Sequence, residues 1–107
     1  MLENREYCRR IAEEIEEYAA GKMVDDDGNE LSLYDYLTDV LDYEFIVNSR
    51  KKYESAKIWV ALGGPNVWID TAERAVKLAW CTDREEYMLD GDVCEEIDDI
   101  MQEIYED

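Results

Sequence analysis

A chain of 107 residues with 29 acids, 11 bases and no histidine carries a formal net charge of −18, and a chain this long is expected to form one domain, 1–107. Its 47% hydrophobic content, which includes Trp59, Trp68 and Trp80, is enough to fill a core and excludes a disordered acidic tail. Nucleic acid and anionic membranes bind cationic surfaces, so the charge excludes both as direct partners. No apolar run approaches the roughly 18 residues that span a bilayer.

The charge is concentrated. Residues 25–44 carry eight acids and no base, and residues 83–107 carry twelve acids and one base. A net charge of about 2–8 is ample for solubility in a small domain, and a larger excess costs stability through self-repulsion. The excess therefore calls for a partner with a strongly basic surface. The opening Met1-Leu2-Glu3-Asn4-Arg5-Glu6 lacks the basic-then-apolar pattern of a signal peptide. Cys8, Cys81 and Cys94 are odd in number and far apart, as reduced thiols of a cytoplasmic protein would be.

Along the chain, Cys8, Ile11, Ala12, Ile15, Tyr18 and Ala19 recur at helical spacing, so a helix is predicted over 4–20 with Gly21 as its stop. A turn follows at Asp25-Asp26-Asp27-Gly28-Asn29. Ser32 with Asp35 three residues on has the capping-box pattern, opening a short helix to about Leu41. The period then changes from helical to alternating. Strands are predicted at 43–48, 56–62, 67–71 and 75–80, joined by short turns, which makes an antiparallel meander. Ile58, Val60, Leu62, Val67, Ile69, Val76, Leu78 and Trp80 should share the core face. Lys57, Trp59, Trp68, Asp70 and Lys77 should share the other. A last helix is predicted over 92–105, with Val93, Ile97, Ile100, Met101 and Ile104 as its buried stripe. The expected class is α+β: a four-stranded antiparallel meander covered on one face by helices, in the order α-α-β-β-β-β-α.

Chemistry is sparse. Without histidine the usual nucleophile–base pairs and most zinc sites are missing, so the chain is not expected to be an enzyme or to need a metal or cofactor. Asp25–Glu30 resembles a calcium loop only superficially. Aligned on Gly28, an EF-hand would need ligands at Met23 and Tyr34. Gly63-Gly64 precedes a strand, not a helix, so it is a turn and not a phosphate loop. Trp59 and Trp68 beside Lys57 and Lys77 have the local composition of a base-stacking platform, which the overall charge opposes. That face reads instead as ordinary packing or as a protein-binding patch.

The final helix carries the sharpest pattern. Glu95, Asp98, Asp99 and Glu103 fall three and four apart, about 5–6 Å between neighbours at Cβ, and Asp92 and Glu96 widen the row. That spacing is comparable to phosphates along a nucleic-acid strand. Asp35, Asp39 and Asp42 in the second acidic block add to the candidate surface. The competing reading is a merely solvated helix face.

Leu31-Ser32-Leu33-Tyr34-Asp35-Tyr36-Leu37 and Gly63-Gly64-Pro65-Asn66-Val67-Trp68-Ile69-Asp70-Thr71 resemble stretches of small acidic accessory proteins encoded on conjugative transposons and prophages of Gram-positive gut bacteria. The similarity runs through residues 31–105. The resemblance implies a bacterial cytoplasm and a setting of defence evasion, in which acidic anti-CRISPR and antirestriction proteins are frequent; it carries over no catalytic residues. The expectation is a nucleic-acid-mimicking inhibitor of a defence nuclease, with a Cas9-type CRISPR effector first and a restriction enzyme next. It would act as a monomer or homodimer on a basic nucleic-acid-binding protein. The alternative is a non-inhibitory adaptor of a mobile element that binds a protein through the Trp59/Trp68 face.

Overall fold

In the computed structural model, which describes residues 2–107, helix α1 (Leu2–Ala19) ends as its sequence indicates. Gly21 takes a φ of +74°, and its amide donates to the Tyr18 carbonyl at 3.1 Å while Lys22 donates to Glu17 at 3.0 Å. This left-handed glycine stop satisfies the last carbonyls of the helix. In the loop that follows, the Asp25 carboxylate accepts from the amides of Asp27 (2.9 Å) and Asn29 (2.8 Å), closing a turn under the bridge Val24–Glu30.

Helix α2 (Leu33–Thr38) opens on the capping box: Asp35 donates its amide to Ser32 Oγ at 3.2 Å, and Ser32 returns its own amide to Asp35 Oδ2 at 2.8 Å. It stops at Thr38, three residues short of the predicted end. By Leu41 the backbone already donates to the Trp59 carbonyl at 3.1 Å, so the sheet has claimed the segment.

The sheet has five strands, one more than expected. β1 (Asp42–Val47), β2 (Tyr53–Ala61), β3 (Asn66–Asp70), β4 (Ala75–Trp80) and β5 (Asp83–Met88) pair antiparallel in sequential order. The class and the meander hold, and the strand count is corrected. The fifth strand, Asp83-Arg84-Glu85-Glu86-Tyr87-Met88, shows no apolar alternation, because it is an edge strand and edges are protected by charge. Cys81 and Thr82 form its two-residue turn, with Cys81 at a φ of +55°.

Register sorts the side chains into two faces. Tyr43, Ile58, Ile69, Val76 and Tyr87 lie in one row across all five strands, next to the Val67–Leu78 pair. All three helices pack on this face. Cys8, Ala12 and Ile15 of α1, Leu33 and Leu37 of α2, and Cys94, Ile97 and Met101 of α3 (Gly91–Glu106) join Ile58, Ile69, Val76 and Leu78 in one core. α1 lies over β4 and β5, and α3 over β2. The Cys8 thiol donates to the Val76 carbonyl at 3.1 Å.

Two predicted core residues are outside. A bulge between Trp59 and Ala61 ends β2 early and leaves Leu62 in the turn, 55% exposed. Trp80 lies at the end of β4, 45% exposed, with its ring 2.5 Å from where a Gly64 Cβ would stand. Any side chain at Gly64 would displace that ring.

Candidate partner-binding surface

The outer face of α3 gathers most of the candidate carboxylates. Glu95, Glu96, Asp99 and Glu103 are exposed, and among the described residues none has a lysine or arginine within ion-pair distance. Asp92 is exposed in the first turn, beside the N-cap Asp90, whose carboxylate accepts the Asp92 amide at 2.8 Å. Negative charge there is favourable because it faces the positive end of the helix dipole. The other end is the reverse. Glu103 and Glu106 occupy a last turn that has no basic residue, an arrangement that costs stability.

Asp98 departs from the expected row. Its carboxylate accepts a hydrogen bond from the Tyr53 hydroxyl at 2.5 Å and is partly buried between α3 and β2. Burial first, and the Asp98 carboxylate second, hold the Tyr53 phenol well above its usual pKa. Asp98 is thus a tie between helix and sheet, not part of the outward charge. Tyr105 makes a second tie, donating to the Lys51 carbonyl at 2.8 Å, with its ring 5.1 Å from that of Phe45.

The three acids of the second block separate. Asp35 is exposed but engaged in the α2 cap, and Asp39 is the exposed C-cap of the same helix. Asp42 pairs with Trp59 across β1 and β2, which puts it on the opposite face of the sheet from the helices. The fold also brings in a residue that the sequence reading passed over. Glu14 of α1 stands with Asp35 and Asp39 around a groove of about 610 Å³, whose remaining wall includes Ile11, Tyr18, Tyr36 and Val60. The available signal was Glu14's place on the border of the Ile11–Ile15–Tyr18 stripe, which directs it toward a neighbouring element.

The sheet face away from the helices carries Trp59, Trp68, Lys57 and Lys77, as expected. The two indoles meet at 5.1 Å with a 35° tilt, and Trp59 Nε1 donates to Glu44 at 3.0 Å. Lys77 is paired with Glu73 and lies 3.9 Å from Glu86. Both lysines of this face therefore have carboxylates beside them, Lys57 being in register with Glu44 and Asp70.

Two thiols belong to the core. Cys8 and Cys94 are buried, and burial raises each to about 11. They are neutral packing groups at physiological pH. No helix among the described residues is long and apolar enough to cross a membrane.

The fold and surface together define an α+β domain with an acidic helical layer on one side of a sheet and a stacked tryptophan pair on the other. Comparison with protein-family models, with curated proteins and with solved structures found no match.

Proposed function

We propose that this protein is a nucleic-acid mimic that inhibits a nuclease by occupying its basic channel. One observation carries the reading: Glu95, Glu96, Asp99 and Glu103 project from one helix at near-phosphate spacing, with no cation among the described residues to neutralise them. Such carboxylates are ready to pair with the arginines and lysines that otherwise grip phosphate. Opposite fields would speed encounter and make binding sensitive to salt. A Cas9-type effector is the first target to test, since its heteroduplex channel is basic and its recognition of the protospacer-adjacent motif rests on arginine. A restriction enzyme is the second.

The test is DNA cleavage by a Cas9-type ribonucleoprotein and by a panel of restriction enzymes, with the protein titrated in at about 0.15 M salt, where the Debye length of roughly 8 Å still lets the field act. Cleavage by one of them should fall as protein is added, and less steeply as salt rises. Unchanged cleavage across the panel at both low and physiological salt contradicts the proposal. The second reading is an adaptor that binds through the open sheet face, favoured by the Trp59–Trp68 stack. It requires partner capture that survives loss of the α3 charges and fails on loss of the two indoles.

A further inference from the structure

The acidic surfaces of α1 and α2 meet where the molecule is concave as well as charged. Glu14, Asp35 and Asp39 rim the groove between these helices, and Leu41, 62% exposed, stands at its edge. Inside it the rings of Tyr18 and Tyr36 meet at 4.9 Å, tilted by 51°. Along the rest of α1 and on the sheet the chain supplies cations to several carboxylates: Arg9 pairs with Glu6 and Glu13, Arg5 with Glu85, and Lys77 with Glu73. At the groove, as on α3, it supplies none among the described residues. Among the described residues no lysine or arginine pairs with Glu14, Asp35 or Asp39, although Glu14 is half-buried and therefore partly stripped of water. The Tyr18 phenol registers the resulting field: burial, then Glu14, Asp39 and Asp35, raise its pKa.

We infer that this groove seats one arginine side chain of a basic partner protein, with the guanidinium among the three carboxylates and flat against the Tyr18 ring, and an adjacent apolar residue of the partner on Leu41. The inference rests on the reading of the protein as a binder of basic proteins and names its anchor point. An arginine fits better than a lysine. Its planar cation stacks on aromatic rings and offers paired N–H donors to carboxylates, whereas an ammonium is a compact, strongly hydrated point charge. Nucleic acid and anionic lipid are repelled by the same rim. The apolar wall and Leu41 require more than a bare cation, which points to a peptide segment.

The test is an NMR titration of the full chain, labelled at its tyrosine rings, at about 0.15 M salt. The probe is a short acetylated, amidated peptide with one leucine beside one arginine. Matching peptides carry lysine or citrulline in place of the arginine, and spermidine is titrated separately. The Tyr18 and Tyr36 signals should shift saturably with the arginine peptide, several-fold more weakly with the lysine peptide, and not with the citrulline peptide. Glu14→Gln combined with Asp39→Asn should weaken the arginine titration roughly tenfold or more. Glu95→Lys combined with Asp99→Lys, away from the groove, should leave the tyrosine shifts in place. Equal shifts from the citrulline peptide, an unaffected Glu14→Gln/Asp39→Asn variant, or tighter saturation by spermidine would overturn the assignment. The nuclease assay separates the two readings. If charge reversal on α3 abolishes inhibition while the peptide never saturates, the groove assignment fails alone. If the peptide saturates while the parent protein inhibits no nuclease, the mimic reading fails and the anchor stands.

Discussion

The helical layer and the open sheet face treat charge in opposite ways. On the sheet face, Lys77 pairs with Glu73 and approaches Glu86, Trp59 donates to Glu44, and Lys57 lies in register with both Glu44 and Asp70. Nearly every charge there has a neighbour of opposite sign or a donor. On α3 and around the α1–α2 groove, carboxylates stand without cations among the described residues, and the last turns of both α1 and α3 lack any basic residue. Among the described residues, carboxylates without a cation are therefore gathered mainly on the helical side of the sheet. Folding does not ask for that asymmetry, since uncompensated acids at helix C-termini oppose it.

The two surfaces share one sheet, and Ile69 is where that can be tested hardest. It is fully buried beneath the helices between Ile58 and Val76, while its neighbours Trp68 and Asp70 point to the other side. Ile69→Ala should cost about 2–5 kcal/mol in denaturant unfolding and weaken both surfaces together. A loss below about 1 kcal/mol would mean that the sheet is not their common support.

Alkaline pH should strike the helical side next. Cys8 on α1 and Cys94 on α3 are raised from 9.0 to about 11 in the folded protein. The folded state holds these protons more tightly than the unfolded chain. Their contribution is thus fully present below pH 9 and lost as pH rises toward 11, at about 2–3 kcal/mol for each thiol. Stability measured from pH 8 to 11 should fall more steeply for the parent than for Cys8→Ala/Cys94→Ala. Equal slopes would contradict the burial of the thiols.

The tie between the layers should matter less. Tyr53→Phe removes the hydroxyl that holds Asp98 and should cost about 1–3 kcal/mol, because a partly buried carboxylate loses its donor. Partner binding should be unchanged or slightly tighter, as a further carboxylate is freed. Smallest is the effect of Trp59→Ala with Trp68→Ala. Loss of the indole stack should lower stability by about 0.5–1.5 kcal/mol beyond the burial lost with the rings, and leave inhibition intact.

The sequence made some of this legible and withheld the rest for physical reasons. α1, the Ser32–Asp35 capping box, β4 and α3 were readable because each is specified by local period or local chemistry. β5 was not, because as an edge strand it carries Glu85 and Glu86 where a central strand would carry apolar residues. Glu85 faces inward against Leu78 and is met by Arg5 of α1 at 3.3 Å, a pairing between residues 80 apart in the chain. The outward direction of Glu95, Asp99 and Glu103 followed from helical spacing. That of Asp98 did not, since Tyr53 reaches it from a strand. The groove lay beyond sequence reading altogether: Glu14 and Asp39 are brought together only by the packing of α1 on α2.

The measurement that bears most directly on the directed charge is inhibition, at about 0.15 M salt, by two folded variants side by side. One carries Glu95→Lys, Glu96→Lys, Asp99→Lys and Glu103→Lys; each reversal adds two charges, taking the protein from −18 to −10. The other carries Trp59→Ala and Trp68→Ala. Truncating one side of a desolvated carboxylate–arginine pair costs about 2–5 kcal/mol, so the four reversals should abolish binding and inhibition, whereas the tryptophan variant should inhibit as the parent does. A charge-reversed protein that folds and inhibits undiminished would contradict the mimic reading.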